Sequence, residues 1–290
     1  MTDSEQRDEA GEDSSTAFFD RTYGATQEDL SREIRAAAFG EDIGQFSWTT
    51  ADEHRRFHAA LGLEAGSHVL DVACGSGGPA LFMARETGCR VTGVDIHEGG
   101  VAAANEAAAQ QGLGERAHFL VQDARLPLPF EDASYDAIIS IDSINHVFDR
   151  APMFAQWRRV LRPGGRVLYT DAVVVTGPLR REEMLARSGG MGEFVFTPHG
   201  ADRPLLEAAG FVDVRFDDVT DNIVKVSGDW HAARERLADR LDDVEGEDPN
   251  AAFQSFLATV HRLASERRLS RLAYSARADA RRATDEPSTR

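Results

Sequence analysis

The stretch that decides the fold of this 290-residue chain is Val69-Leu70-Asp71-Val72-Ala73-Cys74-Gly75-Ser76-Gly77-Gly78. An apolar run over residues 69–72, interrupted only by Asp71, gives way to three glycines and then to a helix-forming segment over residues 79–86. This order predicts a buried strand, a tight turn and a helix. The glycines let the backbone pass close to a ligand, because a Cβ there would collide with it. The stretch therefore predicts the opening of a nucleotide-binding α/β unit.

Two acidic residues indicate which nucleotide the unit binds. Asp95 ends the second predicted strand about twenty residues after Gly75, where a carboxylate accepts hydrogen bonds from both hydroxyls of an unphosphorylated ribose. The spacing Gly75-x-Gly77-x-x-Ala80 also satisfies a loose dinucleotide fingerprint. However, Asp71 stands at the strand end where a dinucleotide site places its diphosphate, and a carboxylate there repels a diphosphate and suits a cation.

These motifs resemble those of the class I S-adenosylmethionine-dependent methyltransferases, in particular the small-molecule type that includes the sarcosine/dimethylglycine and phosphoethanolamine N-methyltransferases. The resemblance covers roughly residues 40–277. It implies S-adenosyl-L-methionine as cofactor, with the glycine loop around its amino-acid end, the second-strand acid on the ribose and a later Asp at the adenine. A plain turn residue is the alternative for that later Asp. The implied cofactor-binding residues are Asp71, Ala73, Gly75, Gly77, Asp95, Ile96, Asp123, Ala124 and Ile141.

Three further residues are candidates for catalysis. Asp142 and His146 follow the fourth predicted strand, and ligands of such sheets bind outside the carboxyl ends of the strands. A similar Asp-x-x-x-His occurs in the N-methyltransferases named above. The alternatives are a helix N-cap for Asp142 and a packing role for His146. Asp171 lies in an otherwise apolar strand, where an acid is costly unless it is paired or functional.

Methyl transfer from a sulfonium is an in-line displacement, so the protein mainly has to position the acceptor. His146 could take a proton from it. We therefore expect a small-molecule methyltransferase, with N-methylation of a small amine or amino acid as the leading hypothesis. O- or C-methylation of a secondary metabolite is the runner-up within the class. Outside the class, a non-catalytic cofactor-binding protein and an NAD(P)-binding oxidoreductase remain. The oxidoreductase is disfavoured, because the single lysine, Lys225, has Asp221 four residues before it and cannot complete a Tyr-x-x-x-Lys pair.

The alternation of strands and helices predicts an α/β fold, a doubly wound, Rossmann-like, mostly parallel sheet of seven strands with helices on both faces. We expect an N-terminal helical cap over residues 17–61, with a capping box from Thr50 to Glu53. The cofactor domain spans residues 62–277 and carries a helical insert at about 220–268. Residues 1–16 and 278–290 are expected to be charged tails. The predicted strands are residues 69–72, 91–95, 118–122, 135–141, 166–175, 211–219 and 271–277.

Composition limits the partners. The formal net charge of −17 and pI near 4.9 argue against nucleic acid or an anionic membrane, because both require a basic surface. The two cysteines, Cys74 and Cys89, are too few for a disulfide framework or a zinc cluster. No apolar run of about eighteen residues occurs and residues 2–16 lack an apolar core, so we expect a cytoplasmic protein without a metal.

Overall fold

A mixed eight-stranded sheet forms the centre of the computed structural model, which describes Phe19, Thr22, residues 29–188 and residues 193–280. Its strands follow the order β3-β2-β1-β4-β5-β8-β7, and β6 pairs with β5 outside this path. In chain order they are β1 His68–Val72, β2 Arg90–Asp95, β3 Ala117–Val121, β4 Tyr135–Ser140, β5 Leu161–Val175, β6 Thr197–Pro198, β7 Phe211–Asp218 and β8 Leu269–Ala278.

The pairing confirms the predicted doubly wound sheet. Strands β1 to β5 pair in parallel, whereas β8 runs antiparallel between β5 and β7. The seven longer strands match the seven predicted ones, and the two-residue β6 was not predicted. The strand order reverses between β1 and β4, and in open α/β sheets ligands bind outside the carboxyl ends of the strands at such a point.

The helices account for most of the remaining described chain. Within the described ranges none is long and apolar enough to cross a membrane. Helix α6 occupies a segment for which the sequence predicted no element, and two helices, α8 and α9, lie where the sequence predicted a single helix over residues 221–241. The helices are α1 Asp29–Phe39, α2 Ala51–Leu61, α3 Gly78–Thr87, α4 Glu98–Gln110, α5 Arg150–Val160, α6 Arg181–Ser188, α7 Asp202–Ala208, α8 Thr220–Arg236, α9 Ala238–Glu245 and α10 Glu247–Ser265.

Each face of the sheet has its own apolar core. On one face Leu70 of β1 packs in a cluster with Phe154 and Trp157 of α5. On the other face Val69 packs in a cluster with residues of α2, α3 and α4, including Phe57. Neighbouring residues of β1 thus enter opposite cores, because successive side chains of a strand point to opposite faces. Burial on both faces explains why the strands read as nearly continuous apolar runs.

A third core joins the N-terminal segment to the helices inserted before β8. It contains Phe39 of α1, Trp48, Trp230 of α8 and Phe256 of α10, together with Ala172 of β5. We call α1, residues 40–48 and α8–α10 the cap. The cap therefore packs on the sheet as one unit, although its two parts are far apart in sequence. The proposed domain boundaries remain predictions, and residues 1–16 and 281–290 of the expected tails lie outside the described residues.

Three local predictions need correction. Thr50 Oγ1 does accept from the Glu53 backbone N–H at 3.3 Å, but the Glu53 carboxylate does not return the bond, because it pairs with Arg271 at 2.7 Å. Helix α10 begins at Glu247 with Gly246 at its N-cap, two residues before Asp248, the cap that the sequence predicts because Pro249 follows it. Strand β5 begins at Leu161, before the Pro163-Gly164-Gly165 turn, and a register shift in its pairing with β4 accommodates that turn.

The cap touches the glycine-rich stretch at Gly78, the first residue of α3. A Cβ at this position would lie 2.3 Å from the carbonyl oxygen of Ile43 and 2.6 Å from that of Gly44. Both neighbours are backbone atoms, which cannot move aside as a flexible side chain can. Glycine at 78 is therefore required for close packing between α3 and residues 40–48.

We expect Gly78→Ala to lower the free energy of unfolding by about 1–3 kcal/mol, because overpacking costs more than the gain in helix propensity of roughly 1 kcal/mol. Gly114→Ala is the matched control, because a Cβ there meets nothing within 4 Å. Its effect should stay under about 1 kcal/mol. Urea denaturation of both variants measures the difference, and equal stabilities would contradict the packing role of Gly78.

Candidate active site

The carboxylate of Asp95 anchors the glycine loop. Its Oδ2 accepts from the Gly75 backbone N–H at 2.7 Å and its Oδ1 from the His97 backbone N–H at 2.9 Å. Asp95 is 4% exposed and ends β2, so both oxygens lie at the carboxyl edge of the sheet. The loop itself turns through left-handed backbone, with φ of 60° at Ala73, 56° at Gly75 and 75° at Gly77.

Asp71 lies at the same edge, opposite Gly93 of β2, and is 7% exposed. In the described part of the chain its carboxylate has no hydrogen-bond donor. Burial, and then the negative charge of Asp95, raise the pKa of Asp71 to about 8. A nearly buried carboxylate without a donor is stabilised by a cation, as the sequence predicted for this position.

The spacing of the glycines has a packing component that the sequence did not reveal. A Cβ at Gly77 would lie 2.6 Å from Ala104 Cβ of α4 and 3.0 Å from the Phe119 ring of β3. Gly77 is thus needed for close approach of protein segments as well as for its positive φ. This is the kind of helix packing that a glycine-rich turn permits.

The remaining predicted cofactor residues lie along the same edge. Ile96 follows β2 and is 50% exposed, whereas Ala124 and Ile141 are partly buried against the two sheet cores. Asp123 accepts from the Arg125 backbone N–H and from its guanidinium, both at 2.8 Å. Partial burial raises the pKa of Asp123, but the contacts with Arg125 outweigh this and lower it. Its contact with adenine stays a prediction.

A pocket of about 490 Å³ lies between the cap and the carboxyl ends of β4 and β5. This volume includes the part of the pocket that is open to solvent. Seven of the thirteen described lining residues are phenylalanine or tryptophan, so the walls are mainly aromatic. The lining residues are Phe19, Phe46, Ser47, Trp48, Asp142, Asn145, His146, Ala172, Arg187, Phe194, Trp230, Phe253 and Phe256.

The structure places His146 in this pocket, as predicted for a ligand-facing residue. Its ring lies 4.7 Å from Phe194 and 6.0 Å from Phe19, and Phe19 in turn lies 5.2 Å from His97, two residues beyond Asp95. Burial lowers the pKa of His146 to about 4, although a hydrogen bond to the backbone of Glu193 opposes this, and Arg187 lowers it further. The imidazole is therefore neutral at pH 7.

Asp142 also lines the pocket, but its carboxylate accepts three hydrogen bonds from the protein. Oδ1 accepts from Thr170 Oγ1 at 2.7 Å and from Arg271 Nε at 2.8 Å, and Oδ2 accepts from the Trp48 backbone N–H at 2.9 Å. The proposed N-cap role is not seen, because the short 3-10 helix Ile144–His146 has Ser143 at its N-cap. Asp142 ties the cap to the strand ends.

Asp171, predicted as a third catalytic candidate, is not brought to the pocket. It is fully buried and accepts from Arg150 Nη2 at 2.8 Å, and Arg150 also donates to Asp202 at 2.6 Å. Tyr169 donates to the same Asp202 oxygen at 3.0 Å. This pairing satisfies the requirement that a buried acid have partners, so it accounts for Asp171 without a role at the substrate.

A buried ion network links the cap to the sheet through Arg271 of β8. Its guanidinium is 0% exposed and donates to Glu53 at 2.7 Å, to Asp142 at 2.8 Å and to Thr49 Oγ1 at 2.6 Å. Burial raises the pKa of Glu53, although Arg271 opposes this. Asn222 of α8 completes the network by donating to Glu53 at 2.8 Å.

Arg187 is the pocket residue that the sequence did not single out. It lies on α6 with its guanidinium carbon 5.7 Å, 5.3 Å and 5.3 Å from the ring centroids of Trp48, Phe194 and Phe256. Burial lowers the pKa of Arg187 to about 10, although Asp142 and Asp171 oppose this, so it keeps its charge at pH 7. Arg187 is one of 32 basic residues and lies in a segment without a predicted element, so no sequence pattern distinguished it.

Comparison with known proteins agrees with this geometry. The model of a family described as "Methyltransferase domain" matches residues 69–165. The chain is 31% identical over 207 residues to the 27-O-demethylrifamycin SV methyltransferase of Amycolatopsis mediterranei, covering 69% of this chain and 76% of that protein. Other curated relatives include fungal O-methyltransferases and sterol 24-C-methyltransferases, and the chain spans about half the length of some of them.

Two solved structures share the fold at low sequence identity. A putative sarcosine dimethylglycine methyltransferase from Galdieria sulphuraria has a TM-score of 0.70 at 21% identity, over 80% of this chain and 85% of that one. The phosphoethanolamine N-methyltransferase 2 of Haemonchus contortus, in complex with phosphomonomethylethanolamine and S-adenosylhomocysteine, has a TM-score of 0.76 at 22% identity, over 90% and 60%. The chain belongs to the class I S-adenosylmethionine-dependent methyltransferases, as its motifs predicted.

We expect Arg271→Met to lower the free energy of unfolding by about 3–5 kcal/mol, because two buried carboxylates lose their counter-ion. Arg277→Met on the same strand is the matched control, because its ion pair with Asp213 is exposed and such pairs contribute about 0–1 kcal/mol. Urea denaturation of both variants gives the comparison. Similar losses for the two variants would contradict the special role of Arg271.

Proposed function

We propose that this methyltransferase transfers the methyl group of S-adenosylmethionine to a hydroxyl oxygen of a small, ring-bearing molecule. The observation that carries this proposal is the pocket lining, which is mainly aromatic and contains the cation Arg187. Of the described lining residues only Asp142 is acidic, and three donors already occupy its carboxylate. The pocket thus suits an apolar acceptor and disfavours a cationic amine.

Asp71, Asp95 and the loop between them are proposed to hold the cofactor. A donor-free carboxylate at Asp71 fits the ammonium group of the amino-acid end. Asp95 keeps lone pairs for the ribose hydroxyls, because its oxygens accept backbone bonds from Gly75 and His97 and a carboxylate offers about four sites. The exposed side chain of Ile96 offers an apolar surface for the adenine. Ala73, Gly75 and Gly77 shape the loop.

S-adenosylmethionine supplies an electrophilic methyl group on a sulfonium. The chain has to hold the acceptor oxygen in line and to receive its proton, and His146 is the pocket group able to do so. Since one ring nitrogen is bonded to the Glu193 backbone, the other carries the lone pair of the neutral imidazole. The proton of the hydroxyl passes to this nitrogen as the new carbon–oxygen bond forms. The aromatic cap excludes water from the site.

N-methylation of an amino acid is the second candidate, and Arg187 favours it. A guanidinium at the pocket wall pairs with a carboxylate, and its positive charge disfavours protonation of a nearby amine. A zwitterionic acceptor could therefore bind with its carboxylate at Arg187 and present a neutral nitrogen. O-methylation is thus the leading function, and N-methylation of an amino acid is second.

A substrate panel tests the choice. The full chain is incubated with methyl-labelled S-adenosylmethionine and with phenols, hydroxylated polycyclic compounds, small amines and amino acids, and labelled products are identified by mass. We expect labelled methyl ethers from the ring-bearing hydroxyl compounds. Labelled N-methyl amino acids, without any ether, would replace O-methylation by the second candidate.

We expect cofactor binding to release a proton from Asp71, because a carboxyl with its pKa raised to about 8 is mostly neutral at pH 7 and must ionise to pair with a cation. The raised pKa means that affinity increases as the pH rises toward 8. S-adenosylhomocysteine should bind about tenfold more tightly, or better, at pH 8 than at pH 6.

Calorimetry in buffers of different ionisation enthalpy measures the released proton. Asp71→Asn should bind more weakly and lose this pH dependence, because its amide does not titrate in this range. A wild-type affinity that is the same at pH 6 and pH 8 would remove Asp71 from the cofactor site.

We expect His146→Ala to lower turnover by about 10²-fold while cofactor affinity changes only a few-fold, because the imidazole acts in the transition state. His199→Ala is the control, because His199 is exposed and packs on Phe216 outside the pocket lining. Steady-state turnover with the best panel acceptor gives the comparison. Equal turnover of the two variants would return His146 to a packing role.

A further inference from the structure

Arg187 is a buried cation without an acidic partner in the described part of the chain. The guanidinium is 3% exposed, and its only described hydrogen bond runs from Nη2 to the Ala172 carbonyl oxygen at 3.3 Å. A guanidinium has five N–H donors, so most of them have no described protein acceptor. By contrast, the buried guanidinium of Arg271 has two carboxylate partners within 2.8 Å.

Burying a guanidinium without an anion is unfavourable, and the surroundings of Arg187 compensate for it only in part. Three aromatic rings within 5.7 Å supply cation–π attraction, and the carboxylates of Asp142 and Asp171 attract the guanidinium without a hydrogen bond to it. The lowering of its pKa agrees with incomplete compensation. An oxygen anion that enters the pocket would therefore be stabilised by the cation already in its wall.

Two further polar atoms of the pocket lining are buried without a described partner. They are Nε1 of Trp230, a hydrogen-bond donor, and Oδ1 of Asn145, an acceptor. Unpartnered buried polar atoms are costly in a folded protein and are common where a ligand supplies the missing bond. Trp230 and Asn145 thus each keep one unpaired polar atom in residues of the pocket lining.

We propose that Arg187 anchors an oxygen anion of the acceptor, of which a carboxylate is the simplest form, while the aromatic walls hold the ring system to which it is attached. The acceptor class is then a hydroxylated aromatic or polycyclic acid. This inference rests on the proposed function, because it identifies which hydroxyl compounds the same pocket selects. Arg187 is in this sense a specificity-determining residue.

Binding of the anion also changes His146. The positive charge of Arg187 is one of the causes that lower the pKa of His146. An acceptor anion paired with Arg187 offsets this charge and raises that pKa toward its ordinary value, which makes the imidazole a better proton acceptor. An acceptor whose carboxylate pairs with Arg187 therefore makes His146 a stronger base for its own hydroxyl proton.

Matched acids and amides test the proposal. The probes are 2-naphthoate and 6-hydroxy-2-naphthoate with their carboxamides, which have nearly the same shape and no charge. Affinities for the full chain saturated with S-adenosylhomocysteine are measured by calorimetry and by the fluorescence of Trp48 and Trp230. We expect each acid to bind at least tenfold more tightly than its amide. Arg187→Gln should remove this preference and leave amide affinity within about threefold.

Two further variants complete the test. Arg181→Gln removes a charge from the exposed start of the same helix and should keep the preference. Arg187→Lys should keep part of the preference for acids over amides. It replaces Arg187→Gln as the deciding variant if Arg187→Gln does not bind S-adenosylhomocysteine. Equal binding of acids and amides to the wild type, no binding of either, or a preference that survives Arg187→Gln would overturn the proposal. The proposed function has a different test: it is wrong if no hydroxyl compound of the substrate panel, neutral or acidic, gives a methyl ether.

Discussion

The buried guanidinium of Arg271 is the interaction on which the arrangement of the site depends. Its partners are 218 and 129 residues away along the chain, and they belong to α2 and to the segment after β4. Because charges this deeply buried are tolerated only with good geometry and full hydrogen bonding, the network allows few alternative positions for these segments. Asp142 passes the constraint on to the cap through the Trp48 backbone, and Asn222 holds α8 to the same group of residues. The pocket wall is thus positioned by polar bonds at its base and by the aromatic cluster above it.

This network changes the chemical meaning of the acids near the ligand edge. Asp142 and Asp171 have the side chains expected of residues that contact a cationic acceptor, yet each is neutralised by an arginine, Arg271 or Arg150. The groups of the site without an ionic partner are elsewhere: Asp71, which becomes negative when a cation pairs with it, and the positively charged Arg187. The first suits the cationic end of the cofactor and the second suits an anionic acceptor. Opposite charges at the two positions favour a cationic group of the cofactor at Asp71 and an anionic group of the acceptor at Arg187. They disfavour the reverse arrangement, in which each group would meet a like charge.

The sequence predicted the fold and the position of the glycine loop and Asp95 at the sheet edge, because the signals there are local. Strand β1, the glycine loop and Asp95 fall within about thirty residues, and their geometry follows from strand periodicity, turn chemistry and helix termini. Ion pairs between residues far apart in the chain could not be predicted from the sequence. The capping-box pattern at Thr50 correctly marked the start of α2 but could not show that Glu53 would pair with Arg271 instead. An acid in an apolar strand pointed to either pairing or function at Asp171, and only the position of Arg150 decides for pairing. Arg187 had no pattern at all, because its importance comes from three rings contributed by separate segments.

The positive charge of Arg187 has a consequence for how the enzyme would discriminate among acceptors. A neutral ring compound of the right shape can fill the aromatic walls and gain most of the same apolar contact area as the corresponding acid. It would leave Arg187 without a hydrogen-bonded anion, however, so that Arg187 would add to the lowering of the His146 pKa that burial causes first. Its proton would then pass to a weaker base. Discrimination should therefore appear in turnover as well as in binding, because the interaction with the anion contributes to the transition state through the histidine.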